Sequence, residues 1–419
     1  MTTITAGRPA APDDERRRSR SGSRIWVYVI VGFILVALVR VTSGANDVNS
    51  SGTMRAALIA AVPIALAGLG GLWSERAGVV NIGLEGMMIA GTLGAGYFTY
   101  HYGVVAGIVG AALFGALGGV LHAVATVIFG VDHIVSGVAI NIIALGVAGF
   151  LAEVFFTSLP GGGPTQSPSL DRPPDIDIPA ISDRALRIED KHWFLVSDLA
   201  SVVGALTRNL SLFTVFALLL IGGTGWLLWR TSFGLRLRSC GESPVAAESL
   251  GVNVYRYKFI AVTVSGAMAG LGGGYLALVA SSGFQQGQTG GRGYIGLAAM
   301  LFGNWRPGGM LLGATLFGYT DAVQLRRGEE SLHALLLVVA IVLLIVGLLQ
   351  LRRRATVQAV FSLVFAAGFL VWYLLSDTVP TEFTTMAPFV TTLLVLAFAS
   401  QNLRMPAADG LPYRKGSAG

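Results

Sequence analysis

Acidic and amide side chains are rare inside the apolar parts of this sequence, and three of them have the type and position to contact a solute. Asn81 and Glu85 stand in the run from Ser74 to Met88, where charged, helix-breaking and apolar residues alternate beside a long apolar stretch. Asn141 is an amide in an otherwise apolar stretch. Such groups bind a polar solute or ion, or they hydrogen-bond a neighbouring helix. For Asn81 and Glu85, the alternative is that they cap the start of a helix.

No arrangement in the sequence is typical of a catalytic or metal centre. The five histidines, at positions 101, 122, 133, 192 and 333, lack the spacing of metal ligands, and no nucleophilic triad is evident. Cys240 is the only cysteine, which excludes an intramolecular disulfide and a cysteine metal site. The ATP phosphate-binding loop needs glycine directly before lysine, yet the lysines follow Asp190, Tyr257 and Arg414. We therefore expect no catalytic residue, no metal and no ATP bound by such a loop.

The composition places these residues in a membrane protein. Of 419 residues, 53% are hydrophobic, only 12% are charged and 56 are glycine, which excludes a soluble globular domain and a disordered chain. Uncharged stretches of the roughly 20 residues that a bilayer demands recur along the sequence. Residues 1–24 are polar and arginine-rich, and only a weak cleavage site follows the next apolar run. We expect a disordered basic cytoplasmic tail before an uncleaved first span.

Twelve spans are predicted, with the N-terminus in the cytoplasm. They lie at 25–42, 53–73, 83–100, 103–129, 134–156, 211–230, 259–281, 294–303, 309–325, 332–350, 356–375 and 383–401. In this order the cytoplasmic segments carry most of the lysine and arginine residues, as the positive-inside rule requires. The segment 294–303 is unusually short, and we expect a short or broken helix of the kind that transporters place against a cavity.

Two connections and one glycine pattern have further consequences. The outer connection, 157–210, is a loop by its proline and glycine content, with helical apolar spacing in its second half. The inner connection, 231–258, is basic and contains a short predicted helix. Gly266, Gly270 and Gly274 lie on one face of the seventh span, where small residues let another backbone approach closely. Tight helix packing is favoured for these glycines over direct contact with a ligand.

Three runs of residues resemble the signatures of one protein family. They are Glu75 to Met88, Gly241 to Asn253, and Gly291 to Trp305, in order and with fitting spacing. Over residues 55–350, approximately, the sequence is similar to permease subunits of bacterial ABC importers for nucleosides, simple sugars and branched-chain amino acids. The first and third runs most resemble the nucleoside branch.

The resemblance implies an all-α integral membrane fold, a polytopic helical bundle with a ten-span ABC importer permease core at 25–350. Two additional C-terminal spans would occupy 351–403, before a cytoplasmic tail at 404–419. The core would pair with a second permease, identical or homologous, in the bacterial cell membrane. A separate ABC ATP-binding subunit would bind ATP and Mg, and an extracytoplasmic solute-binding protein would deliver the solute. Membrane lipid is a further expected partner, whereas nucleic acid is not.

The resemblance also implies which residues dock on the ATPase. They belong to a coupling loop, the segment that contacts the ATPase, and would include Gly241, Glu242, Ala246, Ala247, Gly251 and Val252. For the translocation path the candidates are Asn81, Glu85 and Asn141, because a nucleoside needs a few amide or hydroxyl groups in an otherwise apolar cavity.

Three alternatives stay open at the level of sequence. Within the same family, the solute is a simple sugar or a branched-chain amino acid, because solute choice is largely delegated to the binding protein. An ion-coupled secondary transporter would use an intramembrane carboxylate, for which Glu85 is the only well-placed acid. A membrane scaffold that transports nothing is disfavoured by the broken helices and the glycine stripes.

Overall fold

The computed structural model describes residues 30–326, 328–352, 354–380, 382–384, 386 and 403–416. The predicted tail at 1–24 and nearly all of the predicted span at 383–401 lie outside these residues. The helices are α1 (Ile30–Ser43), α2 (Ser51–Arg76), α3 (Leu84–Tyr102), α4 (Val104–Ala123), α5 (His133–Phe156), α6 (Pro179–Glu189), α7 (Val196–Thr207), α8 (Leu212–Arg230), α9 (Ser232–Glu242), α10 (Pro244–Ser249), α11 (Val254–Tyr275), α12 (Arg292–Phe302), α13 (Pro307–Leu325), α14 (Gly328–Arg352) and α15 (Thr356–Leu375). Two short strands, β1 (Asp175–Ile176) and β2 (Leu210–Ser211), pair antiparallel. The expected all-α membrane fold is confirmed.

Within the described part of the chain, seven helices are long and apolar enough to cross a membrane. They are α2, α4 with its π-turn to Ile128, α5, α8, α11 with its π-turn to Ala280, α14 and α15. Both α3 and α13 have 19 residues but are less apolar. With 11 residues, α12 covers only about 16 Å at 1.5 Å per residue, roughly half of a hydrocarbon core. A short helix is therefore present where one was expected, and the total of twelve spans stays a prediction.

The backbones of α4 and α11 pack directly against each other. A Cβ atom on Gly266 or Gly270 would lie less than 3.0 Å from a backbone oxygen of α4, and one on Gly274 would meet the Ala111 side chain. On its opposite face α4 exposes valine and leucine at every fourth residue from 105 to 121. In a membrane, an apolar outer face meets lipid while small residues let helices associate. The glycine spacing thus orients α4 between α11 and the lipid.

The bundle has two ends that differ in their connections. At the α6–α7 end, Arg40 and Asp198 form a buried ion pair, 2.7 Å from Nε to Oδ1, which ties α1 to α7. There the Ser51 N–H at the start of α2 also donates to Glu189 Oε1 of α6 (2.8 Å). From this point α2 runs to the α9–α10 end, where Arg76 reaches α9. One helix therefore links both ends.

The two long connections contain more helix than the sequence predicts. In the first half of 157–210, α6 precedes the expected α7, and it buries only Ser182 and Ala185. In 231–258, α9 precedes α10, which corresponds to the predicted short helix. Both unexpected helices are short and amphipathic, with α9 burying Leu237 and Cys240 on one face. Helices of this kind do not produce the long uncharged stretches from which the spans are predicted.

Replacing Gly270 with alanine is expected to destabilise the bundle, because the new Cβ would overlap the Ala111 carbonyl oxygen. Overpacking of this kind typically costs about 1–3 kcal/mol. Gly222→Ala on α8 is the matched control, since nothing lies within 4 Å of a Cβ there. Thermal unfolding in detergent measures the difference. Equal melting temperatures for both variants and the wild type would contradict this packing.

Candidate site at the broken helix and the coupling loop

Residues 77–83, here called the broken segment, separate α2 from α3. Gly78 begins the break with a φ of +82°, a left-handed conformation that glycine adopts without strain. Ala77, Val79 and Asn81 are at most 1% exposed. Buried backbone groups that leave a helix need hydrogen-bond partners, and the interior of a membrane supplies no water for this. The first question about the site is therefore which groups hydrogen-bond to the backbone of the broken segment.

Three basic side chains from neighbouring helices bind the first half of the broken segment. Lys258 Nζ of α11 donates to Gly78 O (3.2 Å). His122 Nε2 of α4 donates to Val80 O (3.0 Å), and His133 Nδ1 of α5 accepts from the Val80 N–H (3.3 Å). From the sequence, these histidines are considered only as metal ligands, and their spacing does not fit that role. A histidine within an apolar span beside a predicted helix break is the signal that was missed.

Asn81 binds within the broken segment and across to α11. Its Oδ1 accepts from the Gly83 N–H (3.0 Å), and its Nδ2 donates to Ser265 Oγ (2.9 Å). The expected capping of α3 by Asn81 takes a different form, since the residue at the N-cap is Gly83 and has no side chain to bond. The Asn81 amide instead pairs the N–H of that glycine.

Asn141 on α5 binds the second half of the broken segment. Its Nδ2 donates to Ile82 O (3.0 Å), and its Oδ1 accepts from the Gly86 N–H in α3 (2.7 Å). The same Nδ2 donates to Tyr294 Oη on α12 (2.9 Å). Asn141 is 9% exposed, whereas Tyr294 is 46% exposed. One buried amide thus joins α5, the broken segment and α12, and it presents a tyrosine to the surroundings.

Glu85 lies at the start of two helices at once. It is in the first turn of α3, and its two oxygens accept the Gly291 N–H (2.9 Å) and the Gly293 N–H (2.7 Å) at the start of α12. A carboxylate is favoured at a helix N-terminus, where unpaired N–H groups and the dipole carry partial positive charge. A Cβ on Gly293 would lie 2.6 Å from the Glu85 backbone, so the two helix starts are in direct contact.

The turn between α12 and α13 is fixed to the end of α2 through Trp305. The indole Nε1 donates to Glu75 Oε2 (2.6 Å), and Trp305 O accepts from Arg76 Nε (2.9 Å) and Nη2 (2.7 Å). Trp305 is 2% exposed. The sequence marked these residues only as parts of family signatures. Their pairing spans about 230 positions of the chain, a contact that no local pattern reports.

The predicted cytoplasmic coupling loop is the whole inner connection, 231–258, and its residues 241–252 pack their inner side on the broken segment. A Cβ on Gly241 would lie 3.0 Å from Gly78 N and closer still to the Arg76 carbonyl oxygen. Glu242 Oε1 lies 3.7 Å from Arg76 Nη1. Since no side chain separates them there, the backbone of α9 and the end of α2 are in direct contact.

The outer side of the coupling loop is open. Ala247 is 2% exposed, whereas Leu250 is 85% exposed and Ala246 is also exposed. Gly251 has a φ of +80° with nothing within 4 Å of a Cβ, and the Val252 N–H closes the turn on Ala247 O (3.0 Å). Leu250 and Gly251 therefore form an exposed corner at the end of α10, which leaves this side of the loop accessible.

Amide groups also gather towards the opposite end of the bundle. Gln285, Gln286 and Gln288 line a small pocket with Thr92 of α3 and Leu145 of α5. The loop that carries them precedes α12, and Thr289 in it is 2% exposed. These glutamines are therefore held next to α3 and α5.

Metal ligands and nucleophiles among the described residues would indicate bond-making chemistry. Among the described residues, no group of three or more His, Cys, Asp or Glu side chains could hold a metal ion. Burial raises the pKa of the Cys240 thiol to about 11, so this cysteine is a poor nucleophile at neutral pH. The site instead joins a surface loop to a break between two membrane helices, which suits the transmission of movement.

Comparison with known proteins places the chain among transport permeases. Residues 53–348 match the family model described as "Branched-chain amino acid transport system / permease component". The guanosine ABC transporter permease protein NupQ of Bacillus subtilis is 32% identical over 86% of this chain and 96% of its own length. The nucleoside ABC transporter permease protein NupC of Lactococcus lactis is 32% identical over 85% and 95%. A putative glucose ABC transporter permease protein, TsgC13 of Haloferax volcanii, is 34% identical over 68% and 80%. No solved structure matches the chain.

Glu85→Gln is expected to lower the stability of the protein, because the amide can accept from only one of the two N–H groups at the start of α12. A buried N–H left without a partner costs about 1–3 kcal/mol. Glu153→Gln on α5 is the matched control, since Glu153 is exposed. Melting temperatures in detergent report the effect. A Glu85 variant as stable as the Glu153 variant would contradict the capping role.

Proposed function

The chain belongs to the family of permease components of branched-chain amino acid transport systems, and on that premise we propose that it is the membrane-spanning subunit of an ATP-driven importer for nucleosides. The guanosine and nucleoside permeases among its relatives support this solute class. ATP and Mg would bind in a separate ATP-binding subunit. An extracytoplasmic solute-binding protein would deliver the nucleoside, and a second permease, identical or homologous, would complete the path.

In this proposal the α9–α10 end faces the cytoplasm and the α6–α7 end faces outward, with the N-terminus inside. The α9–α10 end carries Arg230, Arg236 and Arg238, which the positive-inside rule favours on the cytoplasmic side. The core would extend over 25–350, with two additional spans within 351–403. On α15, Val360, Phe361 and neighbouring residues expose an apolar face suited to lipid.

The observation that carries the coupling role is the contact between Gly241 and the end of α2. When ATP closes its cassettes, each ATP-binding subunit would pull on the exposed side of α10. Because Gly241 has no side chain, its backbone contacts Arg76 and Gly78 directly, and the pull would be transmitted to them. From the broken segment the movement reaches α12 through Glu85 and α5 through Asn141. The walls of the path would tilt together from outward to inward access.

We assign the predicted path residues a positioning role. Asn81, Glu85 and Asn141 use their polar atoms on backbone and side-chain partners within the protein. The groups that would face the nucleoside are then the exposed Tyr294, held by Asn141, and the glutamines at 285–288. An ion-coupled mechanism at Glu85 gains no support, because both carboxylate oxygens already accept backbone N–H groups.

A Gly251→Trp variant is expected to abolish nucleoside uptake. Its bulky side chain would stand in open space beside Leu250 on the exposed side of the coupling loop, at a positive φ that the control variant below shares. Uptake of radiolabelled nucleosides, sugars and branched-chain amino acids by cells lacking this chain, restored with wild type or variant, measures the effect. Nucleoside uptake alone should depend on the chain, and it should fall by about tenfold or more in the variant, equal to about 1.4 kcal/mol of docking free energy.

Gly103→Trp is the matched control for this variant. Gly103 has a φ of +84° and nothing within 4 Å of a Cβ, but it lies between α3 and α4 at the opposite end. The control should still co-purify with the ATP-binding subunit, whereas Gly251→Trp should not. Normal uptake by a well-expressed Gly251→Trp variant would contradict the ABC mechanism.

A further inference from the structure

The described residues 403–416, here called the C-terminal strap, lie on the coupling loop although they fall outside the part of the chain that matches the family model. The Ala408 N–H donates to Gly241 O (2.8 Å), and the Ala407 N–H donates to Glu242 Oε2 (3.3 Å). Tyr413 Oη donates to Glu248 Oε2 on α10 (2.6 Å). The strap thus bonds to both helices of the coupling loop.

Aromatic packing adds to these bonds. The rings of Tyr413 and Tyr255 lie 5.2 Å apart, and Tyr255 Oη donates to Tyr413 O (3.4 Å). Tyr413 also packs on the cluster formed by Cys240, Ala247 and Val254. These contacts hold the Tyr413 ring on two sides, so its hydroxyl is already positioned to donate to Glu248.

The other side of the strap faces the broken segment. A Cβ on Gly78 would lie 3.2 Å from Ala408 O and 3.1 Å from the Gly241 Cα, so strap, coupling loop and broken segment meet at one point. Asp409 is 6% exposed, and its charge acts on Glu75 at the end of α2 and on Lys258. Leu411 and Tyr413 close a small pocket whose other walls include Val79.

The protonation of Asp409 is compatible with its buried position between the rest of the strap and the end of α2. Burial raises the pKa of its carboxyl to about 7, so the neutral form is well populated near neutral pH. The neutral form limits the repulsion between Asp409 and Glu75. Arg404 anchors the start of the strap, with its N–H donating to Asn304 Oδ1 (2.8 Å) in the turn between α12 and α13.

We propose that the C-terminal strap is a positioning segment for energy coupling: it clamps the coupling loop to the broken segment and to the α12–α13 turn, so that all three move together. The inference rests on the proposed function, since it concerns how the work of an ATPase reaches the path. Without the strap, α10 would keep its ATPase-facing side, but Glu248 would lose its bond to the rest of the bundle. ATP hydrolysis would then continue with less solute moved.

The test uses the complete importer in proteoliposomes, with ATP hydrolysis and nucleoside uptake measured in the same vesicles. Tyr413→Phe removes only the bond to Glu248, and Tyr102→Phe is the matched control, because Tyr102 is 69% exposed at the opposite end. Solute moved per ATP should fall roughly tenfold in Tyr413→Phe, the effect of losing one hydrogen bond to a charged group. ATP-binding subunit content and hydrolysis rate should stay near wild type.

Two further variants keep the result decisive. Glu248→Gln retains an acceptor for Tyr413 and should couple better than Tyr413→Phe, which a general loss of structure would not produce. A chain ending at residue 402 removes every strap contact and should be at least as uncoupled. An unchanged amount of solute moved per ATP in both Tyr413→Phe and the truncated chain would contradict the proposed role of the strap.

Other outcomes separate the strap from neighbouring explanations. Loss of the ATP-binding subunit from both variants would make the strap a docking surface, contrary to the proposal. A wild-type complex that hydrolyses ATP without moving any solute would contradict the proposed function, and the strap with it. A working wild type with unaltered variants would contradict the strap alone.

Discussion

The rest of the structure depends on one constraint: the backbone of residues 77–83 leaves the helix inside the bundle and must still be hydrogen-bonded. Each unpaired backbone group in hydrocarbon would cost several kcal/mol. Polar side chains from α4, α5 and α11 meet this demand through His122, His133, Asn141 and Lys258. Because the partners come from three different helices, satisfying the break also fixes the relative positions of these helices.

The same break explains how a surface loop can act on the interior. The coupling loop touches the end of α2 backbone to backbone at Gly241, and the far side of the break holds α12 through Glu85. A broken segment held by hydrogen bonds can exchange one set of partners for another, as a path with two arrangements would need.

The long helices could be predicted well from the sequence, but the hydrogen bonds that join them could not. The periodic apolar stretches placed the long helices, and the rarity of polar groups in them singled out Glu85 and Asn141. The short α12 was expected from its length, and it exists because Glu85 supplies the cap that its N-terminus lacks. What Asn141 binds was beyond a single sequence, since its partners Ile82 and Tyr294 lie 59 and 153 positions away. The helix α9 was missed because it is short and its apolar face, with Leu237 and Cys240, lies among arginines rather than in a long uncharged stretch.

Hydrogen exchange of the backbone amides of residues 77–86 in the lipid-embedded protein, followed by mass spectrometry, tests the central claim most directly. If side chains pair this backbone, its amides should exchange nearly as slowly as those of the adjoining α2 and α3, and replacing Asn141 with alanine should speed the exchange of Gly86, whose N–H it accepts. Exchange as fast as that of the exposed turn at Gly161 in the unmodified protein would contradict the account.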